Sequence, residues 1–284
     1  MAHLAAFQAI FETESRMLPD FIIIGAMKAG TTSLQRYIAS HPEIVGSTPK
    51  ETDFFKTKDT FQRGTAWYRA LFKGTGHYAI EASPNYTKRH LFPGVPERMH
   101  AILPKAKLIY IVRDPIERIL SHYVQNVTQS NESRTISEAI KANPNNYIQT
   151  SRYYFQLDAF LSYYPDERIF IVESERLKKE TWAVLQEVSA FLEVSTNFDS
   201  LIIEKRFHSS DKKKRRSSLE RKLTNKTSNR YLLALIRFLS TTSRTTVEKP
   251  ILSGGERERL ADQLKDDVEK FRRFSGQAFS SWSL

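Results

Sequence analysis

A run bounded by glycines, Gly25-Ala26-Met27-Lys28-Ala29-Gly30, lies between a short apolar segment and a segment of helical pattern, and three hydroxyl residues follow it, Thr31, Thr32 and Ser33. Such a run lets backbone N–H groups converge on an anion at a helix N-terminus, where the helix dipole adds to the attraction. The glycines have the spacing of a nucleoside-triphosphate P-loop, whose pattern continues with Lys and then Ser or Thr. Here the lysine sits inside the loop as Lys28, and the Gly-Lys-Ser/Thr step is missing. Lys28, Ala29, Gly30, Thr31, Thr32 and Ser33 are therefore the candidate anion-binding residues. A second cation, Arg113, closes another apolar segment, at a place where an NTPase of this class commonly carries a metal-binding acid. Asp114 follows it, but a position just before Pro115 suits a helix cap better than a metal ligand. Arg113 and Ser121, the latter two turns into the next helix, can converge on a second phosphate. Two phosphate sites imply a bisphosphorylated nucleotide.

These residues need elements to hold them. Apolar, β-branched runs at Phe21 to Ile24, His77 to Glu81, Leu108 to Val112 and Arg168 to Val172 read as strands, each followed by helical sequence. Thr31 to Ser40 reads as a helix with Leu34, Tyr37 and Ile38 on one face, and Ile116, Ile119, Leu120, Tyr123 and Val124 give the same pattern after Pro115. Short strands alternating with helices predict an α/β fold: a central parallel sheet with helices on both faces, a P-loop-like strand-loop-helix, and ligands at the carboxyl ends of the strands. The pattern between Gly255 and Phe274 is helical, with Phe279 and Trp282 as anchors for the end of the chain. Residues 205–230 are rich in Lys, Arg, Ser and Thr and include the run Lys212 to Arg216, which reads as a basic mobile loop within a single domain of 1–284.

Composition bounds the function. The 284 residues are 40% hydrophobic and 12% aromatic, enough for a packed core. The absence of cysteine excludes disulfides, thiolate metal sites and cysteine nucleophiles, and fits a reducing compartment. No apolar run approaches the ~20 residues needed to cross a bilayer, and the first residues lack a signal-peptide layout, so the expectation is a soluble cytoplasmic protein without a transmembrane segment. The net charge of +11 points to anionic partners.

The stretch Phe21 to Ser33 resembles the 5′-phosphosulfate loop of sulfotransferases that use 3′-phosphoadenosine 5′-phosphosulfate (PAPS), and Ile111 through Pro115 to Ser121 resembles their 3′-phosphate motif. The likeness extends to Lys50-Glu51-Thr52-Asp53-Phe54-Phe55, to Glu81 through Tyr86, to the segment around Tyr153 to Leu157 and to the ending near Trp282. It is closer to the heparan-type glycan sulfotransferases and their bacterial relatives than to the aryl and steroid enzymes. The resemblance implies transfer of a sulfuryl group from PAPS, with no metal required, to an acceptor hydroxyl or amine on a carbohydrate, glycolipid or small natural product. It implies Lys28 on the leaving phosphate oxygen and Glu51 as general base, with Lys50, Tyr86 and Tyr153 toward the acceptor. It also suggests Lys214 and Arg215, from the basic run, over the 3′-phosphate. One departure stands out: in several glycan enzymes a lysine follows the acid of the strand-end segment, and here that residue is Ala82.

On residue type alone Glu51 is equally a solvated loop acid, and His41 and His77 are rival bases, although neither sits in a matching motif and His41 before Pro42 looks like a helix exit. Two other functions compete: a kinase or NTPase with a variant P-loop, which requires ATP and magnesium, and a noncatalytic basic protein that binds nucleic acid or an anionic surface through residues 205–230. No nucleic-acid motif is recognised, so none is expected as a partner.

Overall fold

The computed structural model describes residues 17–129, 131–142, 145–204, 213–214 and 246–284. Five strands, β1 (Phe21–Gly25), β2 (Ile44–Gly46), β3 (Tyr78–Ala82), β4 (Lys107–Val112) and β5 (Ile169–Glu173), form one sheet in the order β2-β3-β1-β4-β5, and all four pairings are parallel. Successive side chains of a strand point to opposite faces. Every residue of β1, and every residue of β4 after Lys107, is nevertheless buried. Both faces of the sheet are therefore covered, which is why these strands are continuous apolar runs instead of alternating ones.

The cover comes from helices α1 (Thr31–Ile38), α2 (Val95–Ile102), α3 (Pro115–Thr128), α4 (Asn146–Ser151), α5 (Tyr153–Leu161), α6 (Ser174–Lys179), α7 (Thr181–Leu192) and α8 (Gly254–Ser275), with further short helical segments between them. Helix α3 starts as its sequence predicts: Asp114 accepts a hydrogen bond from Glu117 N–H at 2.9 Å and Pro115 occupies the first turn. Ser253 and Glu256 make a reciprocal capping box at the start of α8. The chain end then folds back over α8, with Phe279 and Trp282 buried and their ring centroids 4.2 Å apart.

Three sequence expectations shift. Helix α1 ends at Ile38, short of Ser40, and hands over to turns before Pro42. Strand β2 has no sequence counterpart, since three residues at a sheet edge are too few to show a period. No helix follows β3 directly: Pro84 opens a stretch of turns that lasts until Gly94, the cap of α2. Lys213–Lys214 (β6) pairs antiparallel with Thr246–Val247 (β7), and both short strands pack against α3. The rest of the basic stretch 205–230, including Arg215, lies outside the described residues.

Candidate active site

The strand order creates the crevice. From β1 the chain moves toward β2 on one side of the sheet, while from β4 it moves toward β5 on the other, so the neighbouring carboxyl ends of β1 and β4 form a topological switch point. The glycine loop leaves β1 there and Arg113 leaves β4 there. They are held together directly: Ala26 N–H donates to Ile111 C=O at 2.6 Å, two residues before Arg113.

The two glycines of the loop answer different constraints. Gly30 has φ +109°, a left-handed conformation that a side chain disfavours, and it caps α1 without any side-chain hydrogen bond. Gly25 is needed for space: a Cβ there would lie 1.9 Å from Thr87 Oγ1 and 3.0 Å from the Tyr110 ring. Lys28 also adopts positive φ, at 73°. Helix α1 has no acid in its first turn, so its positive N-terminal end faces the loop uncompensated. Ala29 shapes the loop, its side chain buried and its N–H donating to Ala26 C=O at 3.0 Å. Thr32 and Ser33 are half-buried at the rim, and Thr31 is buried.

On the β4 side the Arg113 guanidinium lies between two carboxylates, donating to Glu117 at 3.2 Å and standing 3.8 Å from Glu175. Among the described residues its buried Nε has no hydrogen-bond partner, so the group keeps donor capacity for an anion. Burial raises the Glu175 carboxyl above its ordinary range. Lys249, just after β7, reaches Glu117 as well. Ser121 is on α3, the helix against which β6 and its Lys214 backbone pack.

The stretch from Lys50 to Phe55 is fastened by Glu81, at the end of β3. This fully buried carboxylate accepts hydrogen bonds from Thr52 (2.6 Å), Ser83 (2.5 Å), Tyr86 (2.7 Å) and Tyr68. Burial pushes its pKa up, and the four hydroxyl donors oppose that push. Three of those hydroxyl oxygens in turn accept backbone N–H groups: Ser83 that of Asp53 at 3.0 Å, Thr52 that of Phe54 at 3.2 Å and Tyr86 that of Phe55 at 3.3 Å. Fixed this way, the stretch presents Glu51 at the surface, its side chain 45% exposed and 3.0 Å from Lys50 Nζ. Lys50 Nζ also donates to Thr31 Oγ1 at 3.5 Å, so a single lysine connects Glu51 to the first turn of α1.

The remaining candidates are placed as follows. Tyr86 and Tyr153 are buried, with 1% and 0% of their surface exposed. The Tyr86 hydroxyl donates to Glu81, whereas that of Tyr153 donates to Arg113 C=O at 2.7 Å and accepts from Arg113 N–H at 3.4 Å. Both tyrosines thus hold site segments from behind. His41 and His77 precede β2 and β3, at the amino-terminal edge of the sheet, away from the crevice. His41 is buried against Ser195, 2.8 Å from its Oγ, and His77 is an exposed partner of Glu43.

Two buried cations are not among the site residues expected from the sequence. Arg118 on α3 donates to Ser151 Oγ (2.6 Å), Tyr147 C=O (2.6 Å) and Met27 C=O (3.3 Å), bracing the loop from below. Lys88 is 5% exposed and also touches Met27. Burial, together with Arg118, Lys88 and Lys28, lowers the neighbouring His122 to about 2, so its imidazole is neutral. For Arg118 the hint in the sequence is its place among the apolar positions Ile116, Ile119 and Leu120 of the α3 pattern, whereas Lys88 has none.

Residues 18–237 match the family model described as the sulfotransferase domain. Over 190 residues the chain is 33% identical to mouse (Mus musculus) heparan sulfate glucosamine 3-O-sulfotransferase 5, a match covering 62% of this chain and 54% of that protein. Over 203 residues it is 28% identical to mouse bifunctional heparan sulfate N-deacetylase/N-sulfotransferase 3, covering 64% of this chain and 23% of that one. The chain therefore aligns with only part of each of these relatives. In fold it is similar to a sulfotransferase from Alicyclobacillus acidocaldarius, with a TM-score of 0.69 and 22% identity over 94% of this chain and 100% of the other. With the family model spanning the loop after β1, the end of β4 and everything between them, the chain belongs to the PAPS-dependent sulfotransferase family.

Proposed function

We propose that this protein transfers the sulfuryl group of PAPS to a hydroxyl or amine of a carbohydrate. The reading is carried by the placement of the glycine loop and Arg113 on adjacent strands at the switch point, one for each phosphorylated end of the donor. The loop amides and Lys28 bind the 5′-phosphosulfate, and Arg113 with Ser121 binds the 3′-phosphate, with Lys214 and Arg215 as further contacts. Arg113 then exchanges part of its pairing with Glu117 and Glu175 for the phosphate.

In the transfer, Glu51 takes the proton of the acceptor as its oxygen or nitrogen attacks sulfur, forming the new bond. The bond from sulfur to the bridging phosphate oxygen breaks, and its electron pair leaves with adenosine 3′,5′-bisphosphate. Lys28 stabilises the charge on that oxygen, and in-line geometry follows from holding donor and base on opposite sides of sulfur. Lys50, between Glu51 and Thr31, fixes the distance between base and donor. A carbohydrate acceptor is supported by the names of the relatives, which act on heparan sulfate. No helix among the described residues is long and apolar enough to cross a membrane. A cytoplasmic setting belongs to the same reading, supported by the cysteine-free sequence.

Calorimetry with adenosine 3′,5′-bisphosphate, in the absence of magnesium, tests the donor site. Saturable binding that is lost in Lys28→Ala and Arg113→Ala is expected, and no binding to the wild type ends the proposal. Labelled PAPS incubated with a panel of desulfated heparan-type oligosaccharides tests the acceptor.

A further inference from the structure

Lys88 lies in the stretch of turns after β3, and among the described residues its ammonium has two hydrogen-bond partners, Asn85 Oδ1 at 2.9 Å and Met27 Sδ at 2.8 Å. A thioether is a weak acceptor, and an ammonium carries three donors. No carboxylate among the described residues lies within ion-pair distance of Lys88. A charged group that is 5% exposed and so poorly partnered costs stability, and such arrangements are tolerated where the charge has a use.

Its surroundings indicate the use. Met27 precedes Lys28 in the phosphate loop, while Asn85 donates to both oxygens of Asp53 at 3.1 Å, and Asp53 lies two residues from Glu51. The ammonium therefore sits between the loop that grips the leaving phosphate and the stretch that carries the base, which is where a transferring group has to pass. We propose that Lys88 is a catalytic residue that contacts the sulfuryl oxygens of the donor, opposite Lys28, and stabilises the negative charge on them as sulfur changes partners. The proposal rests on the sulfotransfer reading above, and the bonds made and broken are those given there; Lys88 neither gains nor loses a proton.

The charged and titratable groups that interact with Lys88 are Glu51 and Asp53 of the Lys50 to Phe55 stretch, Lys56 at its end, His90, and Arg118 and His122 of α3. Burial first and then Arg118 bring Lys88 down to about 8, against the opposing pull of Asp53 and Glu51. Its charge in the donor-free protein accordingly declines as pH rises through that value.

The test compares two ligands by calorimetry without acceptor: PAPS, which carries the sulfuryl group, and adenosine 3′,5′-bisphosphate, which does not. Lys88→Met, nearly the same length and uncharged, should lower PAPS affinity about tenfold or more, as expected for a lost charge-assisted contact, and leave adenosine 3′,5′-bisphosphate affinity unchanged. Its melting temperature should not fall, because a thioether replaces a buried ammonium. Lys88→Arg should keep a preference for PAPS and remove its decline near pH 8. Equal loss for both ligands, or no loss for either, overturns the proposal, as does a variant that is destabilised yet binds PAPS normally. If the wild type binds neither ligand, the sulfotransfer reading itself has failed, which is a different result.

Discussion

Tyr153→Phe removes one oxygen and keeps the ring, so it isolates what the hydroxyl does. The ring packs among Tyr110, Phe271 and Trp282, with centroids 5.7 to 5.9 Å away, and phenylalanine preserves those contacts. The hydroxyl makes two hydrogen bonds to the Arg113 backbone, 2.7 Å to the carbonyl and 3.4 Å from the N–H. Only the shorter has strong geometry, and its loss leaves a carbonyl short of a partner in a partly buried setting, which costs about 1–2 kcal/mol. In a protein of this size that corresponds to a fall in melting temperature of roughly 2–5 °C. The functional consequence follows from what is released: the strand end that aims Arg113 loses its clamp, so affinity for adenosine 3′,5′-bisphosphate should fall by about threefold to tenfold. Urea unfolding and calorimetry on the same preparation measure both. A residue lining the acceptor, as the sequence expectation had Tyr153, would change acceptor KM and leave nucleotide affinity alone. Unchanged stability together with unchanged nucleotide affinity would refute the clamp.

Three further outcomes are expected. Glu51→Gln should reduce turnover by about 10²–10⁴ while nucleotide affinity stays the same, because a general base contacts the acceptor; a small effect in steady-state assays with PAPS would place the base elsewhere. Gly25→Ala should destabilise by about 1–3 kcal/mol through its collision with Thr87, and Thr87→Ala should recover part of that in the double variant; purely additive denaturation data would argue against the collision. Glu132, held by Arg134 and Tyr147, has its carboxyl lowered from 4.5 to about 2. Since the depressed pKa belongs to the folded state, its contribution is complete above pH 4.5 and disappears as pH falls toward about 2, so the stability gap between wild type and Glu132→Gln should close over that interval in acid titrations of unfolding.

What the sequence determined was local. The strand-loop-helix around Gly25 to Ser33, the Asp114-Pro115 helix start and the terminal aromatic anchors each depend on residues within a few positions of one another, and composition and spacing therefore disclose them. The positions of Lys28 and Arg113 at strand ends were legible for the same reason. Tertiary structure decided the rest. That β1 and β4 are neighbours depends on backbone pairing between segments far apart in the chain, and only this adjacency brings the glycine loop and Arg113 to one crevice. That Tyr86 and Tyr153 serve as buried supports depends on which long-range partner meets each hydroxyl. Lys88 carries no local mark at all: a lysine among turn residues reads as solvated until the fold lays the glycine loop over it, and a charge acquires its meaning from the atoms that surround it in space.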